Sequence, residues 1–185
     1  MTRLIFSVLA ALAGLDAPPR AEKETMTPVP TLDLQRYTGT WYEIARLPNP
    51  FQRKCARSVV VRYGLREDGR LDVLNECAEA DGRVRRASGV ARLADPQGPP
   101  SRLKVRFAPA ILSFIPSVWG DYWVLDLAPD YSYAVVGEPK GRYLWILSRS
   151  PRMPEPLYAE ILGRAARFYD VSRVVRTVHA EPPGP

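Results

Sequence analysis

Eight short runs of β-forming residues follow one another along this chain, and a short connection joins each run to the next. Two connections hold Asp68-Gly69 and Asp81-Gly82, pairs that form tight hairpin turns because glycine tolerates a positive φ. Short connections favour antiparallel neighbours, so consecutive runs are predicted to pair. The runs are Thr40–Leu47, Ser58–Leu65, Arg70–Cys77, Arg83–Leu93, Arg102–Phe107, Tyr122–Leu127, Tyr131–Val136 and Arg142–Arg149.

Side-chain polarity alternates along several of these runs. In Arg102–Phe107 the odd-numbered residues are apolar and the even-numbered residues are basic. A period of two with one polar face indicates a sheet that has one side in water. Eight such strands can close into a barrel, which removes free strand edges and can enclose one small ligand. The predicted fold is therefore all-β, an eight-stranded antiparallel up-and-down β-barrel.

One segment departs from the β pattern. Glu155–Phe168 carries an apolar stripe at three- and four-residue spacing, and Pro154 and Pro156 stand at its start, where proline is tolerated. The stripe consists of Leu157, Ile161, Leu162, Ala165 and Phe168. We predict one C-terminal α-helix packed outside the barrel, followed by a short final strand at Val174–Val178.

The N-terminus is typical of an export signal. The apolar stretch Leu4–Gly14 is too short to span a bilayer, and Ala13 offers a cleavage site. The stretch also ends as a bacterial lipoprotein signal does, but Leu15 stands where the lipidated cysteine would be. We therefore expect export to the periplasm or outer membrane without a lipid anchor. The predicted organisation is a signal peptide over 1–15, a linker over 16–31, the barrel domain over 32–180 and a tail over 181–185.

The chain has a net charge of +6, from 26 basic and 20 acidic residues. A basic surface keeps a protein soluble and also attracts anionic lipids or ligands. The arginines are scattered along the runs and form no cluster, so nucleic acid is not an expected partner.

Cys55 and Cys77 are the two cysteines of the chain, and in an exported protein such a pair predicts a disulfide. The alternative is two buried free thiols. If the disulfide forms, the chain before Ser58 must bend back, since a tight hairpin would place Cys77 opposite a residue near Val60. With a single histidine, His179, the sequence offers no metal site, and no cofactor is expected.

Three motifs in order resemble those of the lipocalin family. Gly39–Arg46 is similar to its first motif, Gly-x-Trp, and Tyr143–Arg149 to its third, which ends in arginine. Pro129-Asp130-Tyr131 is similar to the second, Thr-Asp-Tyr, with proline in place of threonine. The likeness covers residues 32–178 and is strongest to the bacterial outer-membrane and apolipoprotein D branches. It implies a barrel floor in which Arg149 lies across Trp41, beside Gly39, so that the cavity opens at the other end.

The alternation of side chains along each strand then predicts which residues line the cavity. If Trp41 points inward, Glu43 and Ala45 share its face. The expected ligand-binding residues are Ala45, Val61, Tyr63, Asn75, Val105, Phe107, Tyr122, Val124, Tyr133, Tyr143 and Trp145. Val59, Val73, Leu103 and Val135 belong to the same wall by parity. A buried Glu43 carboxylate needs a partner, and Arg149 or a tyrosine is expected to supply it.

The resemblance implies a transport or storage protein for a small hydrophobic ligand, a fatty acid or a lysophospholipid, without catalysis. The alternative is an enzyme on the same fold that uses a free cavity thiol on a lipid or isoprenoid. Cys55 lies in a basic stretch that could lower its pKa, but no histidine is near in sequence and Cys77 offers a partner. Because some relatives form dimers, the resemblance leaves open whether this protein is a homodimer.

The connection Ala110–Pro116 is unusually apolar for a loop. Antiparallel alternation from Trp41 at the floor places it at the open end. It is expected either to fold down as a lid or to make peripheral contact with a membrane. The residues concerned are Ile111, Leu112, Phe114 and Ile115.

Overall fold

The computed structural model describes residues 26–180 of the 185-residue chain. The predicted signal peptide with Leu15, most of the linker and the C-terminal tail lie outside these residues, so those assignments stay predictions. No helix within residues 26–180 is long and apolar enough to cross a membrane.

Eight antiparallel strands close into a barrel, which confirms the predicted fold. Each strand pairs with the next in sequence, and the first strand closes the barrel by pairing with both the eighth and the second. The strands are β1 Gly39–Arg46, β2 Arg57–Leu65, β3 Leu71–Ala78, β4 Val84–Leu93, β5 Arg102–Arg106, β6 Gly120–Leu127, β7 Tyr133–Gly137 and β8 Leu144–Ser148.

Three further elements flank the barrel. A four-residue helix, α1 (Leu34–Tyr37), precedes β1, and a longer helix, α2 (Glu155–Ala165), follows β8. The final strand β9 (Val175–Arg176) is shorter than predicted and pairs with the end of β1. The sequence pattern did not indicate α1, because a single turn is too short for a helical period to show.

The ends of the barrel differ. Helix α1 closes the end at which β1 begins, since Tyr37 is fully buried and its carbonyl accepts a hydrogen bond from the Trp41 indole at 2.9 Å. The connections β1–β2, β3–β4, β5–β6 and β7–β8 lie at the opposite, open end.

Helix α2 packs on the outside of the barrel, as predicted. Its residues Tyr158, Ile161 and Ala165 are buried in a cluster with the outward side chains of Leu144 and Ile146 on β8. The predicted stripe lies entirely within this cluster. The helix is therefore held by apolar burial, which is how short helices gain most of their stability in proteins.

A bulge in β1 reverses the predicted orientation of one wall residue. Glu43 pairs with Leu147, but the register then shifts and Ala45 pairs with Ile146. Because a one-residue shift turns side chains to the other face, Ala45 lies under α2 and Arg46 faces the interior. The inward placement of Ala45 is thereby corrected.

The orientation of β7 is also opposite to the prediction. Tyr133 and Val135 pack in the α2 cluster, whereas Ala134 and Val136 point into the barrel. Residues 134–137 are all buried because α2 covers the outer face of the strand. A strand buried on both faces shows no polar alternation, so its sequence does not reveal which residues point inward.

The predicted disulfide is confirmed. Cys55 and Cys77 are bonded, with their Cα atoms 5.5 Å apart. The expected bend is present: Ser58 has a φ of 52°, and the β2–β3 register is irregular between Arg57 and Val60. The bond ties the β1–β2 connection to β3 at the open end.

Candidate functional site

The three resembling motifs meet at the closed end of the barrel. The Arg149 guanidinium lies 3.8 Å from the centre of the Trp41 ring, and its Nη1 and Nη2 donate to the carbonyls of Thr40 and Arg36 at 2.9 and 2.7 Å. Gly39 has a φ of 90°, and a Cβ there would lie 3.3 Å from Arg149 Nη1. These contacts seal the floor and leave no room for ligand there.

The interior of the barrel divides into a packed lower part and a more open upper part. Three predicted wall residues, Val61, Tyr63 and Val124, point inward but are buried in the lower core. An inward side chain that stays partly exposed borders open space within the barrel or at its mouth. Four predicted residues meet this description: Asn75, Val105, Tyr122 and Trp145. They outline the candidate ligand cavity.

Two further predicted residues lie at the mouth. The Phe107 ring covers Gly89, where an added Cβ would come within 2.8 Å of the ring, and its side chain remains 44% exposed. Tyr143 lies between Phe51 and Trp145, with ring-centre distances of 5.4 and 5.9 Å. Aromatic surface therefore continues from the cavity to the outer rim.

Three tyrosine hydroxyls meet above the floor. Tyr122 Oη lies 2.8 Å from Tyr37 Oη and 2.7 Å from Tyr63 Oη. Burial raises the pKa of each of these phenols, most clearly for Tyr37 and Tyr122, so all three keep their protons. We call these three side chains the tyrosine trio.

A polar network lines the upper barrel around Glu43, which is 2% exposed. Its carboxylate accepts hydrogen bonds from Arg46 Nη1 at 2.6 Å, from Gln52 Nε2 at 2.5 Å and from the Thr177 hydroxyl. The Trp145 indole in turn donates to Gln52 Oε1 at 2.8 Å. Glu43 is thus paired by Arg46, and not by Arg149 or a tyrosine as expected. The network joins β1, the β1–β2 connection and the C-terminal segment.

The apolar connection at the open end is anchored on one side and exposed on the other. Trp119 lies between Arg92 and Arg106, with cation-to-ring distances of 4.6 and 5.2 Å on the outer face of the barrel. Ile111 and Phe114 are 79% and 77% exposed. The remaining two predicted loop residues, Leu112 and Ile115, are partly buried.

The structure therefore joins most, but not all, of the predicted site. Tyr133 lies outside, where its hydroxyl accepts a hydrogen bond from Arg164 at 2.9 Å, and Ala45 lies beneath α2. Sequence reasoning missed Tyr37, Arg46 and Gln52. None of the three carried a local signal, because Tyr37 lies in a single helical turn, Gln52 lies in a connection, and Arg46 falls on the predicted outer face of β1.

Comparison with known proteins agrees with this geometry. The Lipocalin-like domain family matches residues 32–179. Temperature-induced lipocalin-1 of Arabidopsis thaliana is 42% identical over 164 residues, covering 88% of this chain and 87% of that protein. Outer membrane lipoprotein Blc of Escherichia coli K12 is 37% identical and covers 94% of this chain and 96% of its own. Apolipoprotein D of Macaca fascicularis is 34% identical, with 82% of each chain covered.

Solved structures share the fold at lower identity. Insecticyanin from the tobacco hornworm Manduca sexta superposes with a TM-score of 0.65 at 19% identity, covering 85% of this chain and 86% of that one. H1 crustacyanin from the lobster Homarus americanus gives 0.60 at 18% identity, covering 84% and 91%.

Proposed function

The chain belongs to the lipocalin family, and from this premise we propose that it is a non-catalytic carrier of a small hydrophobic ligand, a fatty acid or a lysophospholipid. The observation that carries the proposal is the upper barrel, where inward side chains such as Val105, Tyr122 and Trp145 stay partly exposed above a sealed floor. Each buried methylene of an acyl chain contributes about 0.8 kcal/mol, so a long chain outweighs the cost of immobilisation.

The alternative enzyme needs a thiol that this state of the chain does not have. The sequence contains two cysteines, and both are consumed in the Cys55–Cys77 disulfide. A thiolate nucleophile would first require reduction of that bond. The disulfide therefore supports the carrier over the thiol enzyme.

We also propose that the protein works in the cell envelope, beside a lipid bilayer. Its relative in Escherichia coli is named an outer membrane lipoprotein, and the present chain has the sequence pattern of an export signal. Exposed apolar side chains gather at the open end, where Ile111 and Phe114 stand out. Arg53, Lys54 and Lys140 are exposed at the same end and form no ion pair within residues 26–180. Such a surface suits anionic lipid.

The proposal is tested by titrating delipidated protein with hexadecanoic acid and with a lysophospholipid while following tryptophan fluorescence. We expect quenching of Trp145 and a dissociation constant in the micromolar range or below. Trp145→Ala should weaken binding by at least about tenfold without unfolding the barrel, because a large apolar contact is lost.

The matched control is Trp123→Ala. Trp123 pairs with Gly137 and stacks on Arg102 at 4.8 Å on the outer face, so its loss should leave the dissociation constant unchanged. Absence of binding by the unmodified protein, or equal loss in both variants, would contradict a ligand site inside the barrel.

A further inference from the structure

The two hydrogen bonds within the tyrosine trio leave one of its three hydroxyl protons unused. The three hydroxyls carry one proton each, and the structure joins them by two hydrogen bonds, Tyr37–Tyr122 and Tyr63–Tyr122. Whichever way these bonds run, they use two protons. No other hydrogen bond reaches these hydroxyls from residues 26–180. One O–H donor of the trio therefore has no acceptor among residues 26–180.

The unmatched donor is costly wherever it falls on Tyr37 or Tyr63. Tyr37 is 0% and Tyr63 is 7% exposed, and their neighbours in the lower core, such as Leu71 and Leu103, offer no acceptor side chain. A buried donor without a partner loses its hydration and gains nothing in return. An oxygen atom brought in from outside would remove this cost, which makes the trio attractive to a ligand.

The trio adjoins the cavity through the Tyr122 side chain. Tyr122 pairs with Leu103, which points into the barrel, and Tyr122 stays partly exposed whereas Tyr37 and Tyr63 are buried. Val105 pairs with Gly120, the preceding inward position of β6, so the Tyr122 side chain adjoins the space that Val105 borders. A chain that enters from the mouth meets these hydroxyls at its leading end.

The chemistry of the trio selects an uncharged oxygen. The Arg149 guanidinium, whose charge acts on Tyr37, is stacked on Trp41, and its terminal nitrogens already donate to two carbonyls of the floor. A carboxylate at the trio would be buried without a counter-ion, which is strongly unfavourable. A hydroxyl, ketone or ester oxygen pays no such penalty. All three phenols stay protonated, since burial raises the pKa of each.

We infer that Tyr37, Tyr63 and Tyr122 form a recognition site for an uncharged oxygen at the leading end of an amphiphilic chain. The inference rests on the proposed carrier function and names its ligand class more narrowly: an acyl chain that bears a hydroxyl, keto or ester group at or near the end remote from its charged head. Apolar side chains above the trio, such as Val105 and Trp145, hold the chain, and the charged head stays at the mouth.

The test compares two probes that differ by one oxygen, hexadecanoic acid and 16-hydroxyhexadecanoic acid. Their dissociation constants are measured by displacement of a fluorescent fatty acid, for the unmodified protein and for the triple variant Tyr37→Phe, Tyr63→Phe, Tyr122→Phe. The measured quantity is the dissociation constant of the hydroxy acid divided by that of the plain acid. We expect this ratio to be about tenfold higher in the triple variant than in the unmodified protein. Removal of all three hydroxyls keeps the shape of the core, so the barrel should remain folded.

Two further variants make the result decisive. Tyr169→Phe removes a buried hydroxyl from the α2 cluster, 5% exposed, and should leave the ratio of the two dissociation constants unchanged. Tyr122→Phe alone removes the hydroxyl that joins the other two and should shift the ratio in the same direction, even if the triple variant does not fold.

The possible failures are distinguishable. If neither probe binds the unmodified protein, the carrier function itself is wrong. If both probes bind and the triple variant and Tyr122→Phe change neither dissociation constant, the carrier stands and the oxygen site is overturned. If both probes weaken equally in these variants, the trio holds the carboxylate, which overturns its assignment to an uncharged oxygen.

Discussion

At the scale of single residues, three polar sites inside the barrel bind their hydrogen-bond partners in three different ways. Arg149 gives its hydrogen bonds to backbone carbonyls and its charge to the Trp41 ring. The Glu43 carboxylate accepts hydrogen bonds from three separate segments, which compensate its buried charge. The tyrosine trio bonds mainly to itself and stays neutral. Only the last arrangement leaves a donor for a ligand.

The trio predicts a loss of stability at high pH. Burial raises the pKa of its hydroxyls, so tyrosines in the unfolded chain ionise from about pH 10 while the folded ones keep their protons. Stability is full below that pH and falls above it, by up to about 1.4 kcal/mol per pH unit for each hydroxyl. Urea unfolding followed from about pH 8 to about pH 11.5 measures this slope.

The triple phenylalanine variant is the control for that slope. It should lose less stability per pH unit than the unmodified protein. The slope should not vanish, because burial also raises the pKa of Tyr169, which remains in place. Equal slopes in the two proteins would mean that the trio does not titrate differently in the folded and unfolded chains.

At the scale of elements, helix α2 supports the candidate site from outside the barrel. It covers the outer faces of β7 and β8 and contributes Ile161, which is fully buried. The β1 bulge acts on the interior of the barrel, since it turns the Arg46 side chain inward, where it pairs with Glu43. One element thus supplies stability and the other supplies polarity to the upper cavity.

Ile161→Ala should lower the free energy of unfolding by roughly 2–5 kcal/mol, because it leaves a cavity between α2 and the barrel. Its ligand affinity, measured on folded protein, should be unchanged. The matched control is Ile111→Ala: this isoleucine is 79% exposed, so its truncation should change stability by no more than about 0.5 kcal/mol. Chemical denaturation of both variants checks the pair, and a smaller effect at 161 than at 111 would refute the helix packing.

At the scale of the whole molecule, exposed apolar surface is concentrated at one end. Among the described residues, the large apolar side chains Phe51, Phe107, Ile111 and Phe114 all lie at the open end and are at least 44% exposed. The closed end has Leu65 at 40%. A carrier that takes up its ligand from a bilayer needs apolar surface at its open end, because its mouth must reach the lipid surface.

The double variant Ile111→Ser, Phe114→Ser should co-sediment less with vesicles that contain phosphatidylglycerol, by about tenfold or more, since two inserted apolar side chains are lost. Binding of the unmodified protein should weaken in high salt and on vesicles of phosphatidylcholine alone. Leu65→Ser at the closed end is the control. If vesicle binding survives in the double variant while affinity for a soluble short-chain lipid changes, the connection is a lid and not a docking element.

Much of this protein could be predicted from its sequence alone. The eight strands, the outer helix, the floor of Trp41 and Arg149 and the disulfide all depend on local periodicity, turn residues or motifs, which are written in short stretches of chain. The predicted inward or outward orientation of side chains was wrong where that local signal ends. In β7 both faces are apolar because α2 lies against one of them, and in β1 a bulge exchanges the faces after Glu43.

Only the tertiary structure decided which polar groups meet inside the barrel. Tyr37, Tyr63 and Tyr122 come from elements up to 85 residues apart, and Thr177 reaches Glu43 across 134 residues. No local pattern encodes such a meeting, because it depends on barrel closure and strand register. The sequence thus determined that the protein is a barrel with a sealed floor. Its three-dimensional packing determined where the cavity is polar, and so which ligand oxygen it can hold.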